Sequence, residues 1–185
     1  CAKFGRAAER GASPKYAAAM PTHPSIQTQH AIGALVGSAV GDALGAPFEF
    51  QHGGVYSARF PQPVLGGRGE MSGGGSWEAG EFTDDTHMGL ALAESLLTRS
   101  ALDPADLWSR WRAWASTAKD VGILTRHALA RASHEGAAAH AHTTNGGKSA
   151  GNGSLMRNTP VALFTLRGPL ESAVALARAQ SRLTH

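Results

Sequence analysis

The chain has 185 residues, with 17 Lys and Arg against 14 Asp and Glu, a net charge of +3, and 42% hydrophobic residues. That is enough chain for one domain with a sizeable core, and its scattered basic residues argue against a nucleic-acid surface. A single cysteine, Cys1, excludes an intrachain disulfide and a Cys-based zinc site and points to a reducing, cytoplasmic compartment.

Residues 1–29 hold no apolar run of signal-peptide character, and their Pro, Ser, Gln and Ala mixture predicts a loose extension ahead of a domain over residues 30–185. A leading Cys without Met reads as a truncated gene product rather than a mature lipoprotein. From His30, "HAIGALVGSAVGDALGAPFEF" sets Gly33, Gly37, Gly41 and Gly45 at a spacing that makes one smooth ridge on a helix. Each such glycine costs up to about 1 kcal/mol relative to Ala, so the ridge predicts that another backbone or a ligand comes close. Asp42 and Glu49 lie inside the apolar stretch 31–50, which argues against a membrane span. Pro47 ends the helix and leaves Glu49 just beyond it.

Residues 51–82, with Pro61, Pro63 and glycine runs, read as one long loop of the kind that is functional or mobile. Helical spacing then predicts helices over 83–99, from Asp103-Pro104 to near Asp120, over 122–133 and over 169–183. In the second of these, Leu107, Trp111 and Trp114 share a face and are expected in the core. Residues 136–153 read as loop, and His140 and His142 there as part of a solvated Ala/His tract rather than a metal site. No strand pattern emerges, so the expected class is all-α.

Two stretches carry chemistry. In "FTDDTHM", Thr83 suits an N-cap, and Asp84 and Asp85 would complement the helix dipole. A cap alone leaves two details over: the capping-box position holds Thr86 rather than Glu or Gln, and two adjacent carboxylates repel. A hard divalent cation such as Mg²⁺ removes that repulsion and takes carboxylates and hydroxyls as ligands. In "GGKSAGNGSLMRNTPVAL", a glycine-rich turn leads into Ser154 and Arg157, offering backbone N–H groups, a hydroxyl and a guanidinium to a phosphate, or simply starting a helix.

The ordered set "GALVGSAVGDALGAPFEF", "FTDDT" and "GNGSLMRNTPVAL" resembles the ADP-ribosylglycohydrolase family over residues 30–185. The resemblance implies a compact, all-α, two-metal hydrolase that cleaves ADP-ribose from a protein side chain or a small acceptor; from the charge pattern and the acids in the 31–50 stretch, no nucleic-acid or membrane partner is expected. The resemblance also implies Thr83, Asp84 and Asp85 as half of a dinuclear Mg²⁺ site and Glu49 as a residue of substrate positioning or acid/base chemistry, and for such a reaction either Glu49 or Asp85 could take or give the proton. Substrate contacts are implied at Asp120, at Gly151, Asn152, Gly153, Ser154, Met156 and Arg157, and at Thr184 and His185. The family's second metal cluster, Asp-x-Asp-Thr, has no counterpart before His185, so the sequence is expected to be an N-terminal portion with two Mg²⁺ ions in the complete protein. A non-catalytic ADP-ribose binder is the alternative.

Overall fold

The computed structural model describes residues 25–62 and 71–185. The expected extension up to residue 24, and residues 63–70 of the long loop, lie outside them. All the regular elements among the described residues are helices, and the one bridge, between Gly74 and Trp77, is isolated.

Helix α1 (Ile26–Gly45) begins ahead of the expected His30 because Ser25 caps it, accepting from the Thr28 N–H at 3.2 Å. A 3-10 turn, Ala46–Phe48, takes over at Pro47 and delivers Glu49. By length and a mean hydropathy of 1.4, Ile26–Phe48 could cross a bilayer, yet its Asp42 is bound to another helix, as described below. The glycine ridge meets no other backbone: a Cβ at Gly33, Gly37, Gly41 or Gly45 would have nothing within 4 Å among the described residues. Ile32, Val36 and Val40 on the same helix are exposed.

Helix α2 (Val55–Arg59) interrupts the expected loop 51–82. Left-handed Gly54 starts it, and Tyr56 and Phe60 then pack on Phe48, with ring centroids 5.1 and 6.3 Å away. An aromatic cluster formed across a turn has no periodic signature in so short a run, so the loop reading needs this correction.

Helix α3 (Asp84–Arg99) is the centre of the core. Met88, Leu92 and Leu96 recur at helical spacing and are fully buried. Against them pack Leu107, Trp108 and Trp111 of α4 (Pro104–Ala115), Leu124, Ala128 and Leu129 of α5 (Ile123–Leu129), and Ala137 and Ala141 of α6 (Ala137–Thr144). Each of the larger side chains contributes roughly 1.5–3 kcal/mol by leaving water. Trp111 is fully buried and its indole N–H donates to the Met88 carbonyl at 3.2 Å. The second buried tryptophan is Trp108 rather than the expected Trp114, which is only half-buried beside His87.

Helices α4 and α5 stop short of Asp120 and Ser133, at Ala115 and Leu129. The expected loop 136–153 contains α6: left-handed Gly136 starts it, alanines favour it, and Gly146 and Gly147, both at positive φ, close it. Its composition looked like low complexity, but two of its alanines fill the core. Helix α7 (Thr159–Phe164) is the helix that the glycine-rich turn could start, but it begins after Asn158 rather than at Ser154, has Pro160 in its first turn and buries Val161. Helix α8 (Leu170–Ser181) runs back towards the chain end and buries Gln180.

Helices α3 and α4 are fastened by an ion network. Asp106 accepts from Arg110 Nε at 2.7 Å and from Arg99 Nη2 at 2.9 Å, and Arg110 also reaches Glu94. Hydrogen bonds, from Arg110 foremost, hold the Asp106 carboxyl down at about 2. A depressed carboxyl adds stability that is present above its unfolded value near 4 and is lost as pH falls through 2. We therefore expect Asp106→Asn to be less stable than the parent at pH 7 in urea melts. The gap should close as pH drops from about 4 towards about 2, and a gap that does not change with pH would show the ionised pair to be unimportant.

Candidate active site

The first turn of α3 is capped from outside. Asp42, on α1, accepts four hydrogen bonds: from the N–H and hydroxyl of Thr83 at 2.9 and 2.8 Å, and from the N–H and hydroxyl of Thr86 at 3.1 and 2.7 Å. A capping box supplies its acid from within the helix; here the acid comes from another helix and satisfies the same first-turn donors. Thr83, buried, also accepts from the Asp85 N–H at 3.4 Å. Asp84 and Asp85 are thereby relieved of capping, which answers why the chain carries both.

Their side chains line a cavity of about 870 Å3. One wall is acidic, with Glu49, Asp84 and Asp85. Another is the segment from Asp120 to Arg126, anchored by the Gly122 N–H, which donates to Asp84 Oδ2 at 3.4 Å. The third is the turn Gly147–Gly153, with Met156 and His185 behind it. A smaller cavity of about 510 Å3, lined by Gly41, Gly45 and Asp42, lies beyond, and Glu49, Asp85, Asn152 and Met156 border both. Of the residues singled out from the sequence, the large cavity thus collects Glu49, Asp84, Asp85, Asp120, Gly151, Asn152, Gly153, Met156 and His185.

Four others do not face it. Thr83 turns its hydroxyl to Asp42. Ser154 pairs its hydroxyl with Ser181 at 2.8 Å, and Thr184 is fully buried. Arg157 requires a correction: its guanidinium is not offered to a ligand. The side chain has no exposure, lies 4.0 Å over the Trp111 ring, and donates to Gln180 and Thr184. The sequence showed a basic residue after a glycine turn but not the partners that draw it inward. His140 and His142 stay apart from the acidic wall and pair with Thr144 and Ser149.

The acidic wall repels itself. Burial first, then Asp42, Asp84 and Glu49, push the Asp85 carboxyl up to about 6. Burial also raises Asp84, with Asp120 adding to it, and raises Glu49, with Asp84, Asp120 and Asp42 adding to it. Among the described residues no three Asp, Glu, His or Cys side chains form a closed metal cage. The donors of the acidic wall, Glu49, Asp84 and Asp85, are hard carboxylate oxygens, the kind that Mg²⁺ and similar divalent cations take, and Asp84 and Asp85 fit as part of such a shell.

Asp42 and Gln180 escaped sequence reasoning as site-building residues. Asp42 had a signal: it is the one charged residue in α1, and an isolated acid in an apolar helix calls for partners.

The family model for ADP-ribosylglycohydrolase matches residues 23–185. The chain is 39% identical over 168 residues to the ADP-ribosyl-[dinitrogen reductase] glycohydrolase of Rhodospirillum rubrum, an overlap of 89% of this chain and 53% of that protein. It is 35% identical over 163 residues to the ADP-ribosylarginine hydrolase Tri1 of Serratia proteamaculans, 83% of this chain and 41% of that one. A solved structure titled ADP-ribosylglycohydrolase-related protein complex superposes with a TM-score of 0.60 at 36% identity, covering 86% of this chain and 50% of its own. The chain belongs to the ADP-ribosylglycohydrolase family. It spans about half the length of these relatives.

Removing the external cap strands four donors at the junction of α1 and α3. Asp42→Ala should lower unfolding stability by about 2–4 kcal/mol, since bonds to a charged acceptor are the stronger kind. Asp42→Asn should recover only part of it, because an amide nitrogen cannot accept. Urea melts returning the parental midpoint for Asp42→Ala would remove the clamp from this account.

Proposed function

We propose that this chain carries the carboxylate wall and the phosphate-side turn of a Mg²⁺-dependent hydrolase. The enzyme releases ADP-ribose from a modified protein side chain, or from a small acceptor. The observation that carries this reading is the single cavity in which Asp84 and Asp85 face the Gly151–Gly153 turn. The family and the printed activities of its relatives support the substrate class.

Bound at Asp84 and Asp85, Mg²⁺ would orient ribose hydroxyls and a water and polarise the reacting centre. Two aspartates leave most of a six-ligand shell to water, to substrate hydroxyls or to further protein oxygens. The protein side of the reaction follows from the wall. Water attacks the anomeric carbon as its bond to the acceptor breaks, and positive charge builds on the sugar. The Asp84, Asp85 and Glu49 carboxylates face that charge. With the two aspartates committed to the cation, Glu49, on the same wall as they are, is the carboxylate we assign to take the proton of the attacking water, Asp120 lying on the adjoining 120–126 wall. The departing nitrogen or oxygen gains a proton in turn. The backbone N–H groups of the 151–153 turn suit the diphosphate.

The test is calorimetry with MgCl2 and ADP-ribose, paired with release of ADP-ribose from ADP-ribosylarginine. The parent chain should bind ADP-ribose more tightly with Mg²⁺ than with EDTA. Asp84→Asn and Asp85→Asn should each remove that dependence while the far-UV spectrum stays helical. We expect turnover by this chain alone to be weak, because among the described residues no group of three Asp, Glu, His or Cys side chains is gathered to hold a metal. Binding that ignores both Mg²⁺ and the two substitutions would favour a non-catalytic ADP-ribose binder.

A further inference from the structure

Arg157 is completely buried, and among the described residues no carboxylate lies within ion-pair distance of it. Such a placement is expensive unless the guanidinium is fully used. Its Nε donates to Gln180 Oε1 at 2.7 Å, and its Nη2 to the Gln180 carbonyl at 3.3 Å and to Thr184 Oγ1 at 2.7 Å. Thr184 is itself fully buried, and its hydroxyl has one further partner, His185 Nδ1 at 2.8 Å.

A hydroxyl has one hydrogen to give. Arg157 can only donate, so Thr184 must accept from it and has its own hydrogen left to place. If His185 carried its proton on Nδ1, that hydrogen would be buried with no acceptor. The satisfied arrangement has Thr184 donating to Nδ1, which leaves the imidazole hydrogen on Nε2. The far edge of the ring, Nε2 and Cε1, lies against the glycine turn: a Cβ on Gly153 would fall 3.2 and 3.1 Å from these atoms. Glycine at 153 is thus what lets the ring reach the cavity wall.

We propose that Arg157, acting through the Thr184 hydroxyl, is a positioning residue that fixes His185 as an uncharged Nε2–H donor. That donor serves an oxygen of the ligand seated along Gly151–Gly153. The relay stands on hydrogen-bond geometry alone. Only the ligand's identity, a diphosphate oxygen of ADP-ribose, rests on the function proposed above. Burial and the nearby Arg157 charge hold His185 down at about 4, so the ring is neutral at physiological pH.

Long-range 15N–1H spectra of the 15N-histidine-labelled chain at pH 7 test this, with His185→Gln identifying the signals. In the parent, Nδ1 should resonate as an unprotonated acceptor and Nε2 as a protonated nitrogen. Thr184→Ser should keep that pattern. Thr184→Val should mix the tautomers or let the ring titrate towards its ordinary value. Arg157→Met should mix them too; if it fails to fold, the parent and the Thr184 pair still decide. A protonated Nδ1 in the parent, or an unchanged pattern in Thr184→Val, overturns the relay. Added ADP-ribose should shift the Nε2–H signal. An intact tautomer pattern with no response to ADP-ribose would uphold the relay and count against ADP-ribose as the ligand.

Discussion

The structure depends on one carboxylate accepting four hydrogen bonds. Asp42 sits on α1, and everything it binds sits at the start of α3. A helix start leaves several N–H groups without partners, and most helices satisfy them locally. Here the partner is on a different helix, so capping and tertiary docking are the same event. The acids next to the cap are then free to face a cavity, where their mutual repulsion becomes useful. Three carboxylates pushed above their ordinary values are a wall waiting for positive charge, whether from a cation or from a developing sugar cation.

A second polar centre lies behind the opposite wall. Arg157, stacked on Trp111 and held by Gln180 and Thr184, joins the core to the chain end. Gln180 also ties this centre to the glycine turn, because its amide donates to the Ser154 carbonyl and to Asn158 at 2.9 and 3.1 Å. The turn that lines the cavity is therefore fixed from beneath by a network whose centre, Arg157, Gln180 and Thr184, is fully buried and whose edge members, Ser154, Asn158 and His185, are half-buried. Buried networks of this kind rigidify when every member is satisfied.

Much of the frame was legible in the sequence. The helical class, the long apolar period of α3 and the Asp103-Pro104 start of α4 followed from spacing and cap chemistry, while for Asp84 and Asp85 those left a helix cap and a cation site both open. What was not legible depended on partners far along the chain. Helix α6 looked like a polar tract because its burial comes from α5, not from its own pattern. Helix α7 is too short to show a period. Arg157 read as a ligand contact because the glutamine that claims it lies 23 positions later. The glycine ridge of α1 was the reverse case: the spacing is plain, but no described backbone approaches it.

The bonds made by Asp42 bridge sequence separations of 41 and 44 residues. Closing a segment that long is entropically opposed and gains nothing until both helices are in place. The first turn of α3 therefore cannot be ordered by local sequence alone. Its two aspartates acquire their direction only when α1 has docked, so a cation meeting the unfolded chain finds no preformed pair. Any affinity there would therefore be a gauge of folding itself, and a ligand bound by that pair would pull the α1–α3 junction closed.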